Sequence, residues 1–212
     1  MGRKSKADER RSEIIQAFHQ CVVDQGMAAA SIRKTATRAG VKPSTLHHYF
    51  KNRDEIIEEA VTAFTNGIFR RFRDQMAAAG AERDGLSEAE RVDAGLAFIF
   101  SGGMINDDHT GFFLECCAAA RNNPRIKASL AELFARFRGA ITEHLARVPG
   151  FDSLPPRRQA LLAASVVAIH EGIELQWFAD PGGVDLDGTL DVTRGIIRFF
   201  IENGGVSSSK GG

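Results

Sequence analysis

Apolar residues recur every three or four positions along almost the whole of this chain, and no stretch alternates apolar with polar as a half-buried strand would. That pattern confines the 212 residues to an all-α fold, and start and stop signals divide it into about nine helices. The first is expected over residues 8–24, with Ile14, Phe18 and Val22 on one face and Gly26 as its stop. A short helix follows Ser31, whose hydroxyl suits an N-cap, and ends near Arg38. Ala39 and Gly40 then turn the chain, and Pro43 opens a second short helix to about Tyr49. Asn52 and Glu55 are spaced as a capping box for a long helix, along which Ile57, Val61, Phe64, Ile68, Phe72 and Met76 repeat down to Gly80. Residues 80–85 read as a loop. Ser87 with Glu90 makes a second box, opening a helix through Leu96 to Phe100 that Gly102 and Gly103 end. Further helices are expected from about Asp108 to Arg121, from Asn123-Pro124 to about Arg147, from Pro155-Pro156 to about Ala179, and from Asp187 to about Glu202. The tail, 205–212, is glycine and serine without an apolar anchor and is expected to be disordered.

The last two helices carry more apolar surface than one face needs. Leu162, Val166, Ile169 and Ile173 lie on one side of the first, and Leu161, Ala164, Ala168 and Leu175 on another. In the second, Leu190, Ile197, Phe200 and Ile201 are backed by Val192, Ile196 and Phe199. A helix apolar on two faces must bury both, so a homodimer through residues 155–179 and 187–202 is expected, as a two-fold four-helix contact.

Charge separates the two ends. Lys and Arg total 27, as do Asp and Glu, yet residues 1–53 hold 11 basic side chains against four acidic ones. That leaves a head of +7 on a body of −7, the pattern of a polyanion-binding module. No apolar run is long enough to span a bilayer, and the N-terminus has no apolar stretch after its charges, so neither membrane nor secretion is expected. Three cysteines, two of them the neighbours Cys116 and Cys117, do not make a disulfide framework, and a cytoplasmic location fits.

Ile32 to Tyr49 has the layout of a helix-turn-helix. Ala36 is small where the second helix crosses the first, Gly40 frees the turn, Val41 and Leu46 pin the pair, and the helix of Ile14 and Phe18 backs them. Such a unit offers the N-terminal part of its second helix to the major groove while flanking cations hold phosphates. The +7 head coincides with it.

Ile15 and Phe18, Gly26, Ser31-Ile32, Ala36, Ala39-Gly40-Val41, Thr45-Leu46, Tyr49-Phe50-Lys51 and Arg53-Asp54-Glu55-Ile56 carry a further likeness. Together they make the stretch from Arg10 to about Phe64 resemble the DNA-binding domain of the TetR family of transcriptional repressors. That family's Tyr/His-Phe-x-x-Lys ending is matched by YFKNR, with Arg for Lys. The nine-helix layout extends the resemblance to the whole chain, and Glu171 to Gln176 resembles, more loosely, the BetI-like regulatory domain. His47 stands where the family usually has tyrosine, Thr35 where it has Ile or Val, and Lys42 where it has a small capping residue. The resemblance implies a helix-turn-helix domain over 1–53 continuing into the long helix at 53–79, an effector-binding and dimerisation domain over 54–204, and the tail.

It also implies a ligand-responsive repressor that grips a palindromic double-stranded DNA operator as a dimer and is released by a small molecule. By position, Lys42, Ser44, Thr45 and His48 are expected to face base edges. His47, Tyr49, Lys51 and Arg53 are expected at phosphates, with Ser31, Arg33 and Arg38 flanking the groove. Phe72, Met76, Phe98, Phe112, Phe113, Cys116, His170, Glu174 and Trp177 are the candidates to bind the effector, itself expected to be largely apolar or aromatic. His170 and Glu174, four apart, give two metal ligands at most, so they read as a polar pair, with no metal and no cofactor expected. No nucleophile elbow or phosphate loop is present, so no enzyme is expected. The alternatives are a helical homodimer that acts as an interaction module without DNA binding, and an α-helical enzyme using His170 and Glu174.

Overall fold

The computed structural model describes residues 6–81 and 87–204, except the side chains of 76, 79–81, 88 and 89. Nine α-helices and no strand lie among the described residues: α1 (Lys6–Gln25), α2 (Ile32–Arg38), α3 (Pro43–Tyr49), α4 (Arg53–Ala81), α5 (Glu88–Ile99), α6 (Asp107–Ala120), α7 (Pro124–Leu145), α8 (Pro156–Ala179) and α9 (Leu186–Gly204). Single 3₁₀ turns at Phe151–Ser153 and Pro181–Gly183 precede α8 and α9. The expected loop at 80–85 differs at its start, because α4 continues through Gly80 and Ala81; residues 82–86 and the tail 205–212 lie outside the described residues.

Local polar contacts set most of the helix starts. The Ser31 hydroxyl accepts from the Lys34 N–H, and Ser87 and Glu90 complete the reciprocal box of α5. Asn123 Oδ1 accepts from the Arg125 N–H at 2.9 Å and heads α7. Two starts differ from expectation. Asn52 does accept from the Glu55 N–H at 2.9 Å, but Glu55 reaches past Asn52 to the Lys51 N–H at 2.6 Å. Helix α9 starts at Leu186 rather than Asp187, and Asp185 caps it: its carboxylate accepts from the Gly188 N–H at 2.9 Å.

The chain gathers into two compact units, and the division does not fall at residue 53. The first takes residues up to Ile68 together with Gly111–Glu132; the second takes Phe69–Thr110 and Leu133 onward. The reason is core volume. Helices α1 to α3 are too small to bury their own apolar faces, so Ile56, Ile57, Ala60, Val61 and Phe64 of α4, Phe112 and Cys116 of α6, and Ile126 and Leu130 of α7 complete that core.

In the second unit Phe72, Leu96, Ile99, Phe100, Phe137, Ile141, Val166, Leu190 and Ile197 are buried. His144 is buried there too, and its Nε2 meets the Val92 carbonyl at 2.9 Å; a carbonyl only accepts, so Nε2 carries the proton. On α8, Leu162, Ala163, Val166 and Val167 face inward, while Leu161, Leu175 and Phe178 are exposed. On α9, Leu190, Thr193 and Ile197 face inward, and Val192, Ile196 and Phe199 are exposed, Phe199 by 67%.

Candidate nucleic-acid interface and effector cavity

The first unit presents α3 on a scaffold of α1 and α2. Ala36 is fully buried at the crossing, and Leu46 pins α3 to the core with Val41 beside it. Gly40 has φ +66, a left-handed backbone that the turn between α2 and α3 requires. Around it the Val41 N–H donates to the Ala36 carbonyl at 3.0 Å and the Ala39 N–H to that of Thr35 at 2.9 Å. Thr35, which stands where the resemblance implies an aliphatic residue, is buried without penalty: its hydroxyl donates to the Ser31 carbonyl at 2.9 Å.

With Leu46 turned inward, Lys42, Ser44, His47 and His48 are left exposed, and Thr45 and Tyr49 are half-buried. Arg33 and Lys51 are also exposed, and Ser31 is half-buried with its oxygen occupied as the cap of α2. Among the described residues, Arg33, Lys42 and Lys51 make no ion pair, so their charge is available to a polyanion.

Much of the head's remaining positive charge is spent internally. Arg10 pairs with Glu13 at 2.6 Å, and Arg38 pairs with Asp24. Arg11 binds Glu59, Glu55 at 2.9 Å and the Tyr49 carbonyl, and lies 4.3 Å over the Phe50 ring. The Lys51 N–H and then Arg11 hold the Glu55 carboxyl below its ordinary range.

Arg53 is the principal correction. The sequence places it at phosphates, yet its guanidinium donates to the Ala30 carbonyl at 3.0 Å and to the Met27 carbonyl. A planar fork at the start of α4 matches two carbonyls left open by the loop after α1, and a protein acceptor already in place takes the donors. The Met27 N–H in turn donates to Glu115 of α6 at 3.0 Å, so the loop is held from both sides.

A small apolar cavity of about 20 Å³ lies in the second unit, lined by Phe72, Ile99, Met104, Phe137, Ile141, Val166, Val167 and His170. Phe72 meets Phe137 edge-on at 5.2 Å, and Phe69 stands 5.9 Å from Phe137. The space suits about one water molecule, so a larger occupant requires these rings to part.

Of the nine expected effector residues, Phe72 and His170 line this cavity. Glu174 is buried one turn beyond His170, where Thr110 donates to it at 2.6 Å. Phe98 and Trp177 are half-buried and do not line it, and the side chain of Met76 lies outside the description. Phe112, Phe113 and Cys116 need correcting: they belong to the core of the first unit. Phe112 stacks 4.2 Å from His19 and 4.7 Å from Phe64. Burial pushes the Cys116 thiol far up, so it is inert. Periodicity shows that one face of α6 is buried, but not what buries it. The same limit hid Phe137, Ile141, Val166 and Val167, which the sequence marks as core without marking them as a wall.

Comparison with known proteins bears on both regions. Residues 14–60 match the model described as bacterial regulatory proteins, tetR family, and residues 88–201 match BetI-type transcriptional repressor, C-terminal. The transcriptional repressor KstR2 of Mycolicibacterium smegmatis is 30% identical over 69 residues, 32% of this chain. That stretch spans only 34% of the repressor's own length. The transcriptional regulator BetI of Stenotrophomonas maltophilia is 25% identical over 95% of this chain and 98% of its own. A transcriptional regulator from Pseudomonas aeruginosa PAO1, solved by crystallography, superposes with a TM-score of 0.77 at 18% identity, covering 95% of this chain and 96% of its own.

Proposed function

The chain belongs to the TetR family of DNA-binding transcriptional regulators, and on that premise we propose that it is a cytoplasmic, dimeric repressor that a small apolar effector releases from a palindromic operator. The observation that carries this is the exposed polar surface of α3, with Lys42, Ser44 and His48 projecting from a head that also leaves Arg33 and Lys51 without an ion pair while Arg10, Arg11 and Arg38 are committed to internal partners. Short donors at the start of a recognition helix suit base edges; Arg33, Lys51 and His47 suit phosphates. The exposed leucines, valine, isoleucine and phenylalanines of α8 and α9 support a two-fold interface. Paired heads then read half-sites about 34–36 Å apart.

The cavity of the second unit supports the effector role. An effector that prefers a form with Phe72 displaced lowers DNA affinity by the same factor as DNA lowers effector affinity. One continuous helix, α4, carries both Phe72 and the head-core residues Ile56 to Phe64, so it is the lever in this proposal.

Selection of bound fragments from the source genome tests it. The expected result is an enriched imperfect palindrome whose complex dissociates on adding a small apolar compound. Fragments enriched without any shared half-site would overturn it.

A further inference from the structure

The second unit also brings together three metal-ligating side chains on α8, of which only His170 reaches the cavity wall. His170, Glu171 and Glu174 of α8 offer one nitrogen and two carboxylate oxygens, all within 4.8 Å of one another. His170 and Glu174 are neighbours by helical spacing. Glu171 is adjacent to His170 in sequence and should diverge from it by about 100° around the helix. Its longer side chain nevertheless brings a carboxylate oxygen within 4.8 Å of the other two ligand atoms, which supplies the third ligand that sequence spacing lacks.

The contacts among these groups are those of ligands, not of a closed polar network. His170 Nε2 and Glu174 Oε2 are 3.7 Å apart, too far for a hydrogen bond. Two ligands held at about 2.0–2.1 Å in tetrahedral geometry lie about 3.3 Å apart, so a small adjustment accommodates an ion between them. The Thr110 hydroxyl donates to Glu174 Oε1 at 2.6 Å, which fixes the carboxylate and leaves Oε2, the atom facing His170, open. The imidazole is 7% exposed and its Nδ1 meets no partner. Among the described residues no Lys or Arg pairs with either carboxylate.

We propose that His170, Glu171 and Glu174 are the protein ligands of a divalent transition-metal ion, with the Thr110 hydroxyl orienting Glu174 behind them. One imidazole and two carboxylates suit a first-row ion such as Zn²⁺, Mn²⁺ or Co²⁺, and three ligands leave a position for water.

Titration of the tag-free, chelator-stripped full chain with Zn²⁺ and Co²⁺, followed by calorimetry and visible absorbance, tests the site without DNA or effector. Wild type is expected to take one ion per chain and to develop Co²⁺ bands. His170→Ala and Glu174→Gln are expected to weaken binding by more than about 100-fold, and Thr110→Val by about tenfold. His170 and Glu174 are buried, so Glu171→Gln, at a half-buried side chain, is the companion whose fold circular dichroism verifies. It is expected to lose at least about tenfold. Failure of wild type to saturate at one ion per chain overturns the proposal. So does wild-type binding by folded Glu171→Gln, which would locate the ion elsewhere, as at exposed His47 and His48.

Discussion

Arg53 and Lys42 are both cations of the head, and the structure gives them opposite tasks. Arg53 fastens the Met27 and Ala30 carbonyls, whereas Lys42 is exposed without an ion pair. Charge counting treats them alike; only the carbonyls left open by the Gly26–Ala30 loop separate them. Arg53→Ala is therefore expected to destabilise the protein by about 2–3 kcal/mol in urea unfolding, since two charge-assisted hydrogen bonds are lost. Its effect on DNA should follow from that loss of stability, with the salt dependence of binding kept. His144 offers a second test at this scale. Burial lowers its pKa below the ordinary 6.5, against the opposing bond to Val92. The folded state therefore holds this proton less readily than the unfolded chain does, and stability is fully present above about pH 6.5 and is lost as pH falls below it. His144→Gln keeps a donor for the Val92 carbonyl but cannot titrate. Between pH 7.5 and 5.5 the wild type is expected to lose more unfolding free energy than this variant.

Among the elements, those whose ends are written in short-range chemistry were legible: Ser31, Pro43, Ser87 with Glu90, and Asn123-Pro124 each open the helix they announce. Errors arose where a helix end or face is decided by something distant. Helix α9 starts at Leu186, one residue before the expected Asp187, with Asp185 as its cap after the 3₁₀ turn at Pro181–Gly183. Helix α6 carries one apolar stripe, but Thr110 serves the second unit while Phe112 and Cys116 serve the first. No local pattern marks that change of partner. Two glycines in the head make a graded prediction. A Cβ at Gly40 meets nothing within 4 Å, so Gly40→Ala costs only the left-handed backbone, about 1–2 kcal/mol. At Gly26, with φ +81, a Cβ would lie 3.1 Å from Glu115 Oε1, the carboxylate that holds the Met27 N–H. Gly26→Ala should therefore cost more than Gly40→Ala in denaturant unfolding; an equal or smaller cost would mean that Glu115 moves aside freely.

For the whole molecule, the two-faced helices α8 and α9 were visible from periodicity alone, because one helix cannot hide both faces in its own unit. Phe199, 67% exposed on α9, is the natural point of attack. Phe199→Asp is expected to leave the fold intact and shift sedimentation from dimer to monomer, with much weaker operator binding because two half-sites are no longer held together. An unchanged dimer would move the interface elsewhere. The cavity was least legible, since it depends on which inward faces meet; the metal-ligand cluster lies on one helix and turns on the reach of the Glu171 side chain. The central claim is that the few cations left unpaired by the fold hold the DNA backbone. The most direct measurement is duplex affinity against rising salt for wild type and for Arg33→Ala with Lys51→Ala. Each lost phosphate contact should lower the log–log slope by about 1, so the double variant is expected to be shallower by about 2. A slope that does not change, or a wild type that binds no duplex even at low salt, would contradict the account.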